Sequence, residues 1–162
     1  MEKKTEAFYT VRGYERLSGS KTLTSSMEDY LEMAYRLSRD KGYTRISELA
    51  AALNVQPPSA TSMVQKLSDY QYMNYQKYGV VELTSQGKEL GAYLLERHKT
   101  IEEFLLMLGV EAGVLEETEK IEHNVSSSTM ECIMILVNFF KEDQEVLERF
   151  AAYRSKWKHA YD

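Results

Sequence analysis

Residues Thr44 to Thr84 leave the chain little freedom in how it folds. They hold two short amphipathic segments, a tight turn between them and a hairpin directly behind. Ser47 is placed to cap the first segment, and Ile46, Leu49, Ala50 and Leu53 fall on one helical face. Asn54 stops this helix, because Asn tolerates the left-handed conformation just past a helix end. The second segment opens with Gln56-Pro57-Pro58-Ser59, and both prolines of the chain sit at its entrance, where a missing N–H does no harm. Ala60, Met63, Val64 and Leu67 make its apolar face; Ser59, Thr61, Ser62, Gln65 and Lys66 remain outside. Tyr72 to Thr84 then reads as two strands around a Gly79 turn. Helix, turn, helix and hairpin in this order predict a winged helix-turn-helix. A small packing module that never meets DNA is the competing reading, and the order of the elements favours DNA.

The expected DNA-binding residues are Gln56, Pro57, Pro58, Ser59, Thr61, Gln65 and Lys66 on the second helix, with Lys77 in the wing beside Tyr75 and Tyr78. Small polar side chains let a backbone approach a groove closely, and Gln65 is long enough to reach an adenine edge or a phosphate. No Arg stands on this face, so strong guanine forks are missing. That predicts an A/T-leaning operator read partly through DNA shape.

The net charge of −5 looks unfavourable for a DNA binder until its distribution is considered. Residues 1–100 carry a net +2 and residues 101–162 a net −7. The half with the helix-turn-helix is mildly basic, and the acid is gathered in the other half. An acidic half serves solubility, or holds a cation. With 162 residues the expected organisation is an extension over 1–24, a DNA-binding domain over 25–92 and a helical domain over 93–162. Within the extension, Phe8–Leu17 fits either a short docked helix or part of a disordered tail. The single cysteine, Cys132, excludes an internal disulfide and fits a reducing cytoplasm. Its apolar neighbours predict a buried thiol. The N-terminus has no apolar signal core and no run approaches a membrane span. No phosphate-binding glycine loop or nucleophile elbow appears, so neither a nucleotide partner nor an enzyme is expected.

Helical patterns flank the central motif. Ser26-Met27-Glu28-Asp29 fits a serine cap followed by acids, and the helix runs to about Asp40 with Asp29 and Glu32 three apart. Read alone, these acids are a solvated first turn. Ser85 is expected to cap a long helix, Gln86 to about Leu108, with His98 midway. A further helix over about 111–125 places Glu119, Glu122 and His123 on one face, which is half of a metal site at most. Helices over about 129–140 and 143–157 follow. Leu136, Phe139 and Phe140 exceed what one small core needs and suggest a dimer face.

Five stretches now stand in register: Ser26-Met27-Glu28-Asp29-Tyr30-Leu31-Glu32, Met63-Val64-Gln65-Lys66-Leu67, Leu83-Thr84-Ser85-Gln86-Gly87, Arg97-His98 and Glu119-Lys120-Ile121-Glu122-His123. Their order and spacing over about residues 24–158 resemble the manganese-transport regulators of the diphtheria-toxin-repressor family. The resemblance implies a mainly α fold, a winged helix-turn-helix joined to an all-helical metal-binding and dimerisation domain. It implies a homodimeric, metal-activated transcriptional repressor that binds double-stranded operator DNA to control metal uptake. It also implies six metal positions, Asp29, Glu32, His98, Glu119, Glu122 and His123, which hold a pair of divalent ions with bridging carboxylates. Iron-responsive relatives carry Met and Cys where this chain has Asp29 and Glu119. Some members add a barrel-like third domain, which is not expected within this length.

Four carboxylates and two imidazoles are a hard donor set that suits Mn²⁺, with Fe²⁺, Co²⁺, Cd²⁺ or Zn²⁺ as substitutes. Without metal the carboxylates repel one another. The rivals are a metal-independent winged-helix regulator, an iron-responsive repressor on the same scaffold, and a dinuclear hydrolase with Arg97 and Lys99 as its nearest polar helpers.

Overall fold

The structure, a computed structural model, describes residues 23–158. The segment Phe8–Leu17, and all of residues 1–22, lie outside the described residues. The described chain is mainly helical, with seven α-helices and one small antiparallel sheet.

Helix α1 spans Ser25–Ser38 and buries Met27, Tyr30, Leu31, Ala34 and Ser38, a stripe at helical spacing. Strand β1 is the pair Thr44–Arg45 and leads straight into α2, Ile46–Ala52. Asn54 takes φ 54°, and the Val55 N–H donates back to the Ala50 carbonyl, which closes α2 as expected. Helix α3, Pro57–Asp69, starts on both prolines and buries Ala60, Val64 and Leu67. Strands β2, Met73–Tyr75, and β3, Val80–Leu83, form the wing around a short 3₁₀ turn at Lys77–Gly79. The sheet order is β1-β3-β2, with Thr44 opposite Val81 and Met73 opposite Leu83. Helix α4 runs 24 residues, Ser85–Leu108, and is followed by α5 (Val114–Glu122), α6 (Ser127–Glu142) and α7 (Gln144–Lys158).

Three helix caps differ from the serines expected to fill them. Thr24, not Ser26, accepts the Met27 N–H at the start of α1. Thr84, not Ser85, accepts the Gly87 N–H at the start of α4. Thr84 wins because its hydroxyl also reaches the Gln71 carbonyl at 2.7 Å and its own N–H donates to Tyr72, so it is locked before the helix begins. At α2, Ser47 lies inside the helix. Thr44 and Arg45 are held extended by β3, and the Glu48 carboxylate accepts the Arg45 N–H at 3.0 Å and the Thr44 hydroxyl at 2.9 Å. Helix α5 is shorter than its pattern suggested, because Gly109 and Gly113 take φ 86° and 69° and give the preceding residues to a loop.

Two apolar clusters result. One gathers α1, α2, α3, the sheet and Leu94 of α4; the other gathers Ile101, Leu105 and Met130 with Val114 and Ile121 packed against them. Helix α4 threads both, and between its contributions Leu94 and Ile101 lie the buried residues Arg97 and His98. From the far end, Arg154 of α7 donates to the Met107 carbonyl at 3.0 Å, satisfying the C-terminus of α4. Cys132 is exposed, not buried. Helix α6 buries only Met130 and Val137 and leaves Ile135, Leu136 and Phe139 outside with the thiol, so the apolar run faces outward.

A Cβ at Gly87 would come within 2.0 Å of the Tyr72 carbonyl oxygen, a backbone atom that cannot swing aside. Gly87→Ala is therefore expected to lower unfolding free energy by about 1–3 kcal/mol in urea titration, with the slope unchanged.

Candidate metal centre

The six residues expected to hold metal are drawn to the seam between the two clusters. Helices α1 and α5 both pack on α4, and their side chains meet near His98, where Asp29 Oδ1 lies 2.8 Å from His123 Nε2. Asp29 and Glu32 lie one turn apart on α1. On α5, Glu119 and Glu122 occupy the last turn, and His123 is the residue that ends the helix. The loop glycines that shorten α5 leave these three at its inner end.

Two groups of possible ligand atoms form there. Asp29, Glu119, Glu122 and His123 make one, and Glu32, His98 and Glu122 make the other; within each, the atoms lie within 4.8 Å of one another. Glu122 belongs to both. Its side chain is only 1% exposed. One oxygen, Oε2, is 3.0 Å from His98 Nδ1. The other, Oε1, has no hydrogen-bond partner and lies 3.6 Å from His123 Nε2. His123 Nε2 is also 2.8 Å from Asp29 Oδ1. Glu32 is buried and takes hydrogen bonds from Arg36 one turn along, with Nε at 2.9 Å.

The electrostatics are those of too many acids in too little water. Burial pushes Glu32 and Glu119 above the usual carboxylate range, and the charge of Glu122 pushes both further. His98 is raised by its hydrogen bond to Glu122, and His123 is raised to about 10 by Asp29 and then Glu28. Both shifts favour the protonated imidazoles, whose positive charge opposes that of the neighbouring acids. The donor set fits a divalent cation: carboxylates and imidazoles converge, and a buried carboxylate oxygen lacks a donor.

Two further residues contact this group without joining it. Glu28 Oε2 meets His123 Nδ1 at 2.9 Å and the buried Arg97 guanidinium at 2.7 Å. Sequence reasoning missed this role, reading Glu28 as a helix-start acid and Arg97 as a neighbour of His98. Nothing local signals a contact spanning 95 positions. Lys120 stays outside, paired with Glu116 and Glu117.

The residues expected to meet DNA line the start and outer face of α3 and the wing. Gln56, Pro57, Pro58, Ser59, Gln65 and Lys66 are exposed along α3, and Lys77 is exposed in the wing. Thr61 is half-buried and its hydroxyl donates to the Pro57 carbonyl at 3.0 Å, so only its acceptor side is left for a ligand. Tyr78, at φ 63°, projects from the wing tip with 92% of its surface exposed.

Comparison with known proteins places this architecture. Residues 22–81 match the N-terminal DNA binding domain of the iron dependent repressors, and residues 84–151 match their metal binding and dimerisation domain. The HTH-type transcriptional regulator MntR of Oceanobacillus iheyensis is 48% identical over 121 residues, covering 74% of this chain and 82% of that protein. The MntR of Bacillus subtilis is 42% identical over 137 residues, covering 84% and 96%. Among solved structures, the manganese regulator SloR superposes with a TM-score of 0.63 at 31% identity, over 72% of this chain and 55% of SloR. ScaR with bound Zn²⁺ superposes with a TM-score of 0.58 at 33% identity, over 70% and 54%. This chain therefore spans little more than half of those two structures, but most of the MntR proteins. Two-domain matches, identities above two-fifths and a shared fold agree that the chain belongs to the iron-dependent repressor family of metal-dependent transcriptional regulators.

Proposed function

We propose that this repressor responds to Mn²⁺, held by Asp29, Glu32, His98, Glu119, Glu122 and His123 as a pair of ions in each subunit. The observation that carries the reading is the buried Glu122, which belongs to both ligand groups and has one oxygen without a donor. A bridging carboxylate fits that position, since two cations then share one anion. Hard oxygen donors at Asp29 and Glu119 remove the advantage that sulfur would give a softer ion. The relatives' printed names point the same way: SloR is a manganese regulator. ScaR is described with Zn²⁺ and with Cd²⁺, so those ions, with Fe²⁺ and Co²⁺, are the competitors to test.

The supply of ligands from α1, α4 and α5 explains how metal reaches DNA. Bound ions supply the positive charge that permits four carboxylates to share one seam. The protein's part is to tie α1, within the DNA-binding unit, to α4 and α5. That fixes where α3 stands relative to the same helix in the partner subunit. Two half-sites about one helical turn apart, roughly 34–36 Å, demand such a fixed spacing. A subunit pair that samples other spacings binds in proportion to its competent fraction. The homodimer is built, in this reading, on the exposed apolar face of the second domain, where Ile135, Leu136 and Phe139 join a groove of about 700 Å³ lined by Phe140, Phe150 and Tyr153. Operators in front of metal-uptake genes are the expected targets. Among the described residues no helix is long and apolar enough to cross a membrane.

Four outcomes are expected. In Glu122→Ala the Mn²⁺-induced gain in operator affinity, about 5- to 150-fold for coupling of ordinary size, falls to near unity in a DNA-binding titration. Wild-type metal response in that variant would remove the site assignment. Because His98 and His123 are both raised, protons compete with metal, so Mn²⁺ affinity climbs between about pH 6 and about pH 8 and calorimetry finds protons released on binding. The same shift means that the ion pairs of His123 stabilise the protein fully below the ordinary histidine value of 6.5, and that this contribution is lost as pH rises through about 10. Selection of operators from random DNA is expected to return A/T-leaning half-sites; a fixed G-rich half-site would contradict the reading of α3.

A further inference from the structure

Beside the ligand groups runs a second set of charges that the metal reading does not use. Glu28 stands next to Asp29 on α1, and Arg97 stands next to His98 on α4. Arg97 is 9% exposed, and its Nη2 reaches Glu28 Oε2 at 2.7 Å. The same oxygen receives His123 Nδ1 at 2.9 Å. The arrangement spans the two domains, over 69 and 95 positions of sequence.

The direction of each bond limits what Glu28 does. His123 has two ring nitrogens, and Nδ1 is taken by Glu28. That leaves Nε2 turned toward Asp29, Glu119 and Glu122, at 2.8, 4.0 and 3.6 Å. A proton kept on Nδ1 leaves the Nε2 lone pair free for an ion and raises its basicity. Glu28 itself belongs to neither ligand group. Arg97 holds its carboxylate, since the guanidinium donates to the same Oε2 that meets His123 Nδ1. Without the guanidinium, a partly buried anion would stand beside the ligands, free to turn into the pocket or release the ring.

We infer that Glu28 and Arg97 are positioning residues for the metal centre, a carboxylate–guanidinium pair that fixes the tautomer and direction of His123 and so sets the affinity of one ligand group, Asp29–Glu119–Glu122–His123, and not of the other. In the Glu32–His98–Glu122 group the guanidinium of Arg36 bonds the ligand Glu32 itself, and His98 Nδ1 contacts the ligand Glu122, so among the described residues no carboxylate outside the ligand set holds that imidazole. The inference rests on the two-ion reading given under Proposed function, and it adds an asymmetry: the pair separates the two binding steps.

The test is calorimetric titration of the full-length dimer with Mn²⁺, comparing wild type with Glu28→Ala, Glu28→Gln and Arg97→Met. Glu28→Ala and Arg97→Met are expected to weaken one of two binding steps by about 10- to 100-fold and leave the other within about threefold. Glu28→Gln retains an oxygen for the Nδ1–H and should recover most of the lost affinity. In the Cd²⁺-loaded protein, the ¹⁵N spectrum of His123 should show a protonated Nδ1 and a metallated Nε2 in wild type and Glu28→Gln, and a loss of that pattern in Glu28→Ala. Equal weakening of both steps, or no rescue by Gln, would overturn the inference, since general damage to the fold does both. If Glu28→Ala does not fold, Arg97→Met and Glu28→Gln carry the same comparison. Wild type that binds no Mn²⁺ defeats the function proposed above; wild type that binds two ions while Glu28→Ala matches it defeats this inference alone.

Discussion

Glu122 is the constraint on which the rest of the molecule turns. An anion is nearly sealed from water, and it has one imidazole on one oxygen and no hydrogen-bond partner on the other. Leaving a charged group so poorly served is costly, so an architecture that keeps it there needs something else to meet it. In the metal-free state the charge is met by protons on His98 and His123. In the proposed metal-bound state it is met by cations. Burial, with the charge of Glu122 added, still holds Glu32 and Glu119 above the usual carboxylate range, so the imidazoles relieve the crowding only in part.

The scaffold places this conflict at a useful position. Helix α4 contributes to both apolar clusters, and its two ends are fixed by separate devices, Thr84 at the start and Arg154 at the finish. His98 and Arg97 sit between the clusters, where packing alone does not settle how the two units meet. Polar contacts decide it there. The Glu28–Arg97 and Glu28–His123 bonds already bridge the seam, so the units are pre-arranged. What remains for the ions, in the proposed mechanism, is the difference between approximate and exact placement of α3. Small displacements at a hinge become large ones at a DNA surface.

Charge segregation follows the same logic. The basic excess lies with the helix-turn-helix and the acidic excess with the second half. Long-range attraction to phosphate is thereby kept on the reading side, and the ligands' acids sit at the boundary instead of on the DNA face. Helices α6 and α7 carry little charge balance of their own and present Ile135, Leu136, Phe139 and Tyr153 outward, in a family whose second domain dimerises. Cys132, read from its apolar neighbours as a buried thiol, is exposed with them, because those neighbours face outward, and periodicity alone cannot tell an outward apolar face from a core.

The sequence by itself determined the local facts. Helical periodicity located α1, α3 and α4 nearly to the residue, Asn54 and the two prolines marked the helix-turn-helix, and the resemblance supplied six positions that the structure gathers. These are legible because backbone preference and apolar spacing act over a few residues. Tertiary structure alone decided the rest. Serines 26, 47 and 85 lost the caps to Thr24, to Glu48 and to Thr84, since strand pairing and the Tyr72 and Gln71 carbonyls fixed which residue precedes the helix. Strand β1 exists only because β3 returns to it. Glu28 and Arg97 acquire a role only when α1, α4 and α5 converge, because a charge's partner is set by distance through space, which the linear order of residues does not contain.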